Sequence, residues 1–246
     1  MRIFPLLAAA TLSLGMASHA NAADPAPSSN VPTVRGMNDN RIYSKLLFDR
    51  LETAANDSTL RWSGQAWIGT DINRLWLRTE GEKADGATEH AELQALYSRA
   101  LTPFWDVQAG VRHDFRPTPT RDSAVIAVQG LAPYFFDVEA SLFIGASGRS
   151  ALRVETAYEL LLTQKLILTP RIELNAYGSD DRERGLGAGL GDAEIGLRLR
   201  YEIRREIAPY IGLVRTGKIG RTRDFARAQG IATDDVQLVA GVRFWF

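Results

Sequence analysis

Val236-Gln-Leu-Val-Ala-Gly-Val-Arg-Phe-Trp-Phe246 closes the chain, with Val236, Leu238, Ala240, Val242, Phe244 and Phe246 on one face and Arg243 on the other. A period of two sustained over this stretch is the pattern of a β-strand whose two faces meet different surroundings. The unbroken apolar face suits lipid. A terminal aromatic on such a strand has the form of the assembly signal of bacterial outer-membrane barrels. Phe246 is therefore the candidate signal residue, with the barrel assembly machinery as its reader and outer-membrane lipid as the expected surroundings.

The other end of the chain agrees with export. Met1-Arg2 supplies a short positive region, Leu6 to Ala17 is an apolar run, and Ala20-Asn21-Ala22 gives a small-x-small cleavage pattern. Residues 1–22 read as a signal peptide, and the mature chain then starts at Ala23. The signal removes one of the 29 basic residues and none of the 29 acidic ones, leaving a charge near −1. That balance points to no nucleic-acid partner. The chain has no cysteine, which excludes the disulfide framework that supports many small exported folds. Beyond the signal, no run of about 18 apolar residues offers a membrane helix. A transmembrane barrel satisfies both facts, because only every second residue of each strand has to be apolar.

Residues 23–40 are rich in Pro, Ser and Asn and read as a flexible periplasmic leader. From residue 41 onward the chain breaks into twelve segments of period two, each closed by a polar or Pro/Gly stretch. The first, Ile42 to Thr53, also fits an amphipathic helix. In the third, Leu75, Leu77 and Thr79 face one way while Arg74, Trp76, Arg78, Glu80 and Glu82 face the other. The links alternate in length. Asp71-Ile72, Thr102-Pro103, Ala132-Pro133, Thr163-Gln164-Lys165 and Arg205-Glu206 are tight, whereas 83–88, 117–122, 146–150, 178–189 and 218–234 are longer and polar. The expected fold is all-β: a transmembrane, antiparallel, up-and-down β-barrel of about twelve strands over 41–246, with short periplasmic turns and longer external loops. An even strand number returns both termini to the periplasm, which favours reading Ile42 to Thr53 as a strand.

A soluble barrel or sandwich alternates too, with apolar side chains inside and charges outside. On the membrane reading the inward set is instead charged: Arg78, Glu80, Glu92, Gln94, Arg112, Asp114, Glu139, Arg153, Glu155, Glu159, Arg171, Glu173, Glu194, Arg198, Arg200, Glu202 and Arg243. Near-equal Arg and Glu suits cross-strand ion pairs that fill and stiffen the interior. No single sign dominates, so selective conduction is the lesser expectation.

Catalysis finds little to work with. His19 leaves with the signal, His113 shares parity with Val107, Ala109 and Val111, and His90 lies at a loop edge. No enzyme is expected. Gly185-Leu-Gly-Ala-Gly-Leu-Gly191 lacks the following helix and the spacing of a dinucleotide loop, and reads as an external loop entering a strand.

Seven stretches carry a resemblance: Asn73-Arg-Leu-Trp-Leu-Arg-Thr-Glu-Gly-Glu82, Ala95–Arg99, Pro103–Arg112, Val128–Phe136, Leu160–Gln164, Leu197–Glu206 and Ala240–Phe246. Together they resemble the copper resistance protein B family of outer-membrane proteins over roughly residues 40 to 246. The resemblance implies a barrel contributing to copper ion homeostasis by binding or exporting copper, alongside a periplasmic multicopper oxidase of the same resistance system. Members often carry a Met- and His-rich segment before the barrel, where thioether and imidazole suit copper. Here the leader holds only Met37 and no His. The remaining copper-ligand candidates are His90 and His113, with Asp114, Glu89 and Glu92 nearby, although alternation assigns the two histidines opposite faces. The alternative function is a general outer-membrane pore or structural barrel without its own metal site.

Overall fold

The computed structural model describes residues 41–55 and 59–246. The signal peptide, the leader and Met37 lie outside the described residues. Thirteen strands follow in chain order: β1 (Tyr43–Ala54), β2 (Leu60–Gly69), β3 (Asn73–Ala84), β4 (Ala87–Thr102), β5 (Trp105–Arg116), β6 (Arg121–Ala132), β7 (Phe136–Gly145), β8 (Ser150–Ala157), β9 (Leu160–Leu161), β10 (Leu166–Tyr177), β11 (Gly189–Tyr201), β12 (Ile207–Lys218) and β13 (Asp234–Trp245). Both β8 and the two-residue β9 pair with β10, so they are pieces of one stave and the barrel has twelve staves. Each stave pairs antiparallel with its neighbours, and β13 pairs with β1 to close the ring. The seam is sealed beyond the last strand, where Phe246 and Leu46 exchange backbone hydrogen bonds of 2.8 and 2.9 Å.

The faces are the reverse of a soluble barrel. Leu75, Leu77, Val111, Ile126, Ile195, Ile211, Leu213 and Val236 are exposed on the outside, half or more of each accessible. Glu52, Glu92, Arg78, Arg171, Arg198 and Arg200 are buried within. Exposed aliphatic faces of this extent are stable only against an apolar medium. Among the described residues, no helix is long and apolar enough to cross a membrane.

One rim, called lower here, carries the C-terminus and the tight turns; the upper rim carries the rest. Two details depart from the sequence reading. The 83–88 link is absent, because β3 and β4 run through it and meet at Asp85-Gly86, whose φ values of 49° and 81° are those of a two-residue hairpin turn. The length contrast therefore rests on two upper links, 178–188 and 219–233. The second is not plain loop: it holds helix α1 (Gly220–Ala228), which buries Thr222 and Ala226, four residues apart on one face.

Strand β1 settles its own ambiguity with a β-bulge. Phe48 pairs Gly64 and Arg50 pairs Ser63, so Asp49 is an extra residue. The bulge lets both Asp49 and Arg50 meet interior partners, Arg243 at 3.1 Å and Glu80 at 3.5 Å.

Candidate functional site

The sixteen charged side chains of the expected inward set all take part in ion pairs. A central belt starts with Arg153 on β8, which reaches over the lumen to Glu80 on β3 at 3.0 Å and Glu92 on β4 at 3.2 Å, and along the wall to Glu173 at 3.6 Å. Arg112 holds Glu92 at 2.8 Å and Asp114 at 2.6 Å. Arg171 joins Glu155 and Glu173 at 2.5 and 3.1 Å. Arg50 then links Glu80 to Glu194 at 3.6 Å, and Arg198 closes the chain of pairs from Glu194 at 3.8 Å to Glu52 at 2.8 Å. Arg112 and Arg153 also lie over the Phe143 ring, 4.5 and 5.5 Å from its centroid, so one aromatic ring steadies two cations.

A second set sits near the lower rim. Glu159, between β8 and β9, accepts from Arg200 and Arg243, each at 3.0 Å, and Arg200 also faces Glu202 at 3.7 Å. A third tie joins Arg78 on β3 to Glu139 on β7 and to Gln129. Between these ties the lumen is packed. Leu96, Val125, Ala127, Val214 and Val239 point inward and are at most 2 % exposed, as are Ser98 and Gln108. Inward side chains of an open aqueous pore face water; these face one another.

Sequence reasoning missed Glu52, Arg50 and Asp49, all on β1, because the bulge breaks the alternation that would have shown them. It missed Arg61, which pairs Glu82 at 3.2 Å, and the loop residues Asp181 and Arg184 as well.

Above the belt lies a vestibule of about 800 Å³, lined by residues that include His90, Arg112, Phe143, Ala151, Asn175 and Tyr177. His90 is there, 3.2 Å from Glu92. His113 is on the outer face, 2.6 Å from the exposed carboxylate of Asp122 and edge-on to Phe115. The wall separates the two histidines, and each has a single carboxylate neighbour. Among the described residues no group of three His, Cys, Asp or Glu side chains is placed to hold a metal ion. Most interior carboxylates are already engaged by arginine, and Asp192 accepts from Asn175 and Tyr177 at 2.8 and 2.9 Å.

The sequence model described as Copper resistance protein B precursor (CopB) matches residues 42–246, the whole barrel. The chain belongs to the copper resistance protein B family. Copper resistance protein B of Escherichia coli is 47% identical over 212 residues, covering 85% of this chain and 72% of the relative. The Copper resistance protein B homolog of Pseudomonas syringae pv. tomato (strain ATCC BAA-871 / DC3000) is 48% identical over 212 residues with the same coverage. Among solved structures, the NanC porin superposes with a TM-score of 0.53 at 13% identity, covering 82% of this chain and 99% of the porin. That likeness is one of fold. It places this member of the copper resistance protein B family on a porin-like barrel, with a lumen filled as described above.

Proposed function

We propose that the chain is an outer-membrane protein that contributes to copper tolerance by binding or exporting copper, without catalysing a reaction. Membership of the copper resistance protein B family over the whole barrel carries the reading. The lipid-suited outer face supports the location, with the lower rim toward the periplasm and the upper rim outward. Phe246, at the end of the closing strand and 69% exposed, remains the proposed signal to the assembly machinery. A periplasmic multicopper oxidase of the same resistance system is the proposed partner. The test is a deletion strain, which becomes copper-sensitive and regains tolerance with the intact gene; unchanged tolerance on deletion refutes the proposal.

A structural barrel without its own metal site is the second reading, favoured by an interior whose carboxylates are mostly engaged by arginine and by the two histidines on opposite faces. Copper titration of the purified full chain separates the two modes. Stoichiometric binding lost in H90A/H113A assigns a site to those histidines. Stoichiometric binding kept in that variant moves the site away from them, with Met37 the next residue to substitute. No binding assigns the copper role to passage or to the partner.

A further inference from the structure

The segment 178–188 leaves the wall after β10 and does not simply arch back to β11. Its reach is set by Arg184, which donates to Asp114 at 2.8 Å and to the backbone carbonyls of Pro117 and Pro119 at 3.1 and 2.7 Å. Arg121 completes the attachment by pairing Asp181 and, at 3.1 Å, Glu183. Those anchors belong to the β5–β6 hairpin, and β7 and β8 lie between it and β10 around the ring. The segment is therefore a chord over the mouth. On its other side it rests on α1, where Thr222 Oγ1 accepts from the Gly187 N–H at 2.9 Å and Arg221 pairs Asp180 at 2.6 Å.

We propose that this chord is a latched lid, and that Arg184 is the latch controlling entry from the upper side into the vestibule. Three observations separate a lid from a piece of wall. From Ser179 to Ala188 its backbone-to-backbone hydrogen bonds are internal, chiefly the reciprocal pair between Asp181 and Leu186, so it is not stitched into the sheet. Its hold on the β5–β6 side is made by two guanidinium groups, Arg184 and Arg121, on carboxylates and on the Pro117 and Pro119 carbonyls, and it releases when both let go. It carries Gly185 at φ 68° with open space around it, a setting free of collision, while Gly187 packs against α1 and Gly189 at φ 98° begins β11. Beneath it the vestibule has a floor of its own, the Arg50–Glu80–Arg153 belt, and the segment supplies part of the vestibule's upper lining through Asp181, Glu183, Arg184 and Leu186. The Arg184 and Asp114 side chains are 8% and 7% exposed, so the closed latch excludes water from its own ion pair.

The lid rests on these contacts alone; only the naming of its side as external rests on the outer-membrane reading, and its test uses no copper. Because the chain has no cysteine, A151C places a single thiol on the vestibule wall. The full chain, refolded in detergent, is reacted with a bulky sulfonated maleimide, and heat-modifiable gel mobility checks that each variant is folded. We expect slow labelling of A151C and about tenfold faster labelling of A151C/R184Q and A151C/D114N, equivalent to about 1.4 kcal/mol on the closed-to-open equilibrium. A chain in which residues 179–186 are replaced by a two-glycine turn gives the fully open rate and serves if a point variant fails to fold. Equal rates in all four chains overturn the lid. Fast labelling of the shortened chain alone overturns Arg184 as its latch.

Discussion

Replacing Glu52 with Gln removes one charge from the interior without changing its volume. Glu52 is 1% exposed and accepts from Arg198 Nε and Nη2 at 2.9 and 2.8 Å and from the Tyr210 hydroxyl at 3.0 Å. The other carboxylate near Arg198, Glu194, stands 3.8 Å away, so the substitution strands a buried cation. Breaking one side of such a pair costs about 3–5 kcal/mol. Removing both sides with E52L/R198M leaves no stranded charge. Apolar replacement of a buried pair is often near neutral, and the orphaned Tyr210 hydroxyl adds only about 1–3 kcal/mol, so the double variant is expected to be more stable than E52Q. An exposed cluster sets the scale: Asp234, 42% exposed, faces Arg223 at 3.2 Å and Arg215 at 3.7 Å, with those side chains 37% and 66% exposed, and D234N is expected to cost less than about 1 kcal/mol. Urea unfolding in lipid vesicles, followed by heat-modifiable gel mobility and tryptophan fluorescence, gives the three values by linear extrapolation. Stability of E52Q within about 0.5 kcal/mol of D234N, on that scale for exposed pairs, or a double variant as unstable as E52Q, refutes the reasoning.

Three further outcomes follow from the same structure. The unmodified barrel in a planar bilayer is expected to show no steady ohmic steps, since its inward side chains below the belt are buried; stable steps of porin size would contradict a packed lumen. A Cβ at Gly110 would lie 2.0 Å from the Ala95 carbonyl oxygen, a backbone atom that cannot step aside, whereas one at Gly148 meets open space at φ 74°. G110A should therefore sharply reduce the yield of folded barrel while G148A costs only about 1–2 kcal/mol, and comparable yields would show the wall is looser there than drawn. Deleting Phe246 should lower assembly in cells, read by surface proteolysis, yet leave refolding of the pure chain near normal; equal loss in both would make it a structural residue rather than a signal.

Much of this barrel could be read from residues because lipid and lumen impose opposite preferences on alternate positions. Asn73–Ala84 shows the rule at its clearest, with Leu75 and Leu77 outside and Arg78 and Glu80 inside. The rule fails where the backbone slips a residue, as at Asp49, which is why Glu52 and Arg50 stayed hidden among positions that also suited a helix. It is silent where few residues are buried: α1 hides only Thr222 and Ala226, too few to raise a helical period above a polar link. It cannot show partners distant in sequence. Arg184 and Asp114 are 70 residues apart and Arg153 and Glu80 are 73 apart, and only the closed ring brings them together. The histidines are the opposite case, since parity alone put His90 and His113 on different faces.

The bridging of distant residues has a consequence for how the barrel comes into being. An ordinary core can gather piecemeal, each apolar side chain finding some neighbour in a partly formed sheet. Here part of the interior is built of complementary charges whose mates meet only on ring closure, such as Arg198 and Glu52, 146 residues apart. A half-curled sheet would present those charges alone, and non-local pairing is in any case slow to form. The half-made barrel therefore gains only the pairs between adjacent staves, such as Arg112 with Glu92 and Arg171 with Glu155, and the meeting of the first stave with the last brings in the cross-lumen pairs.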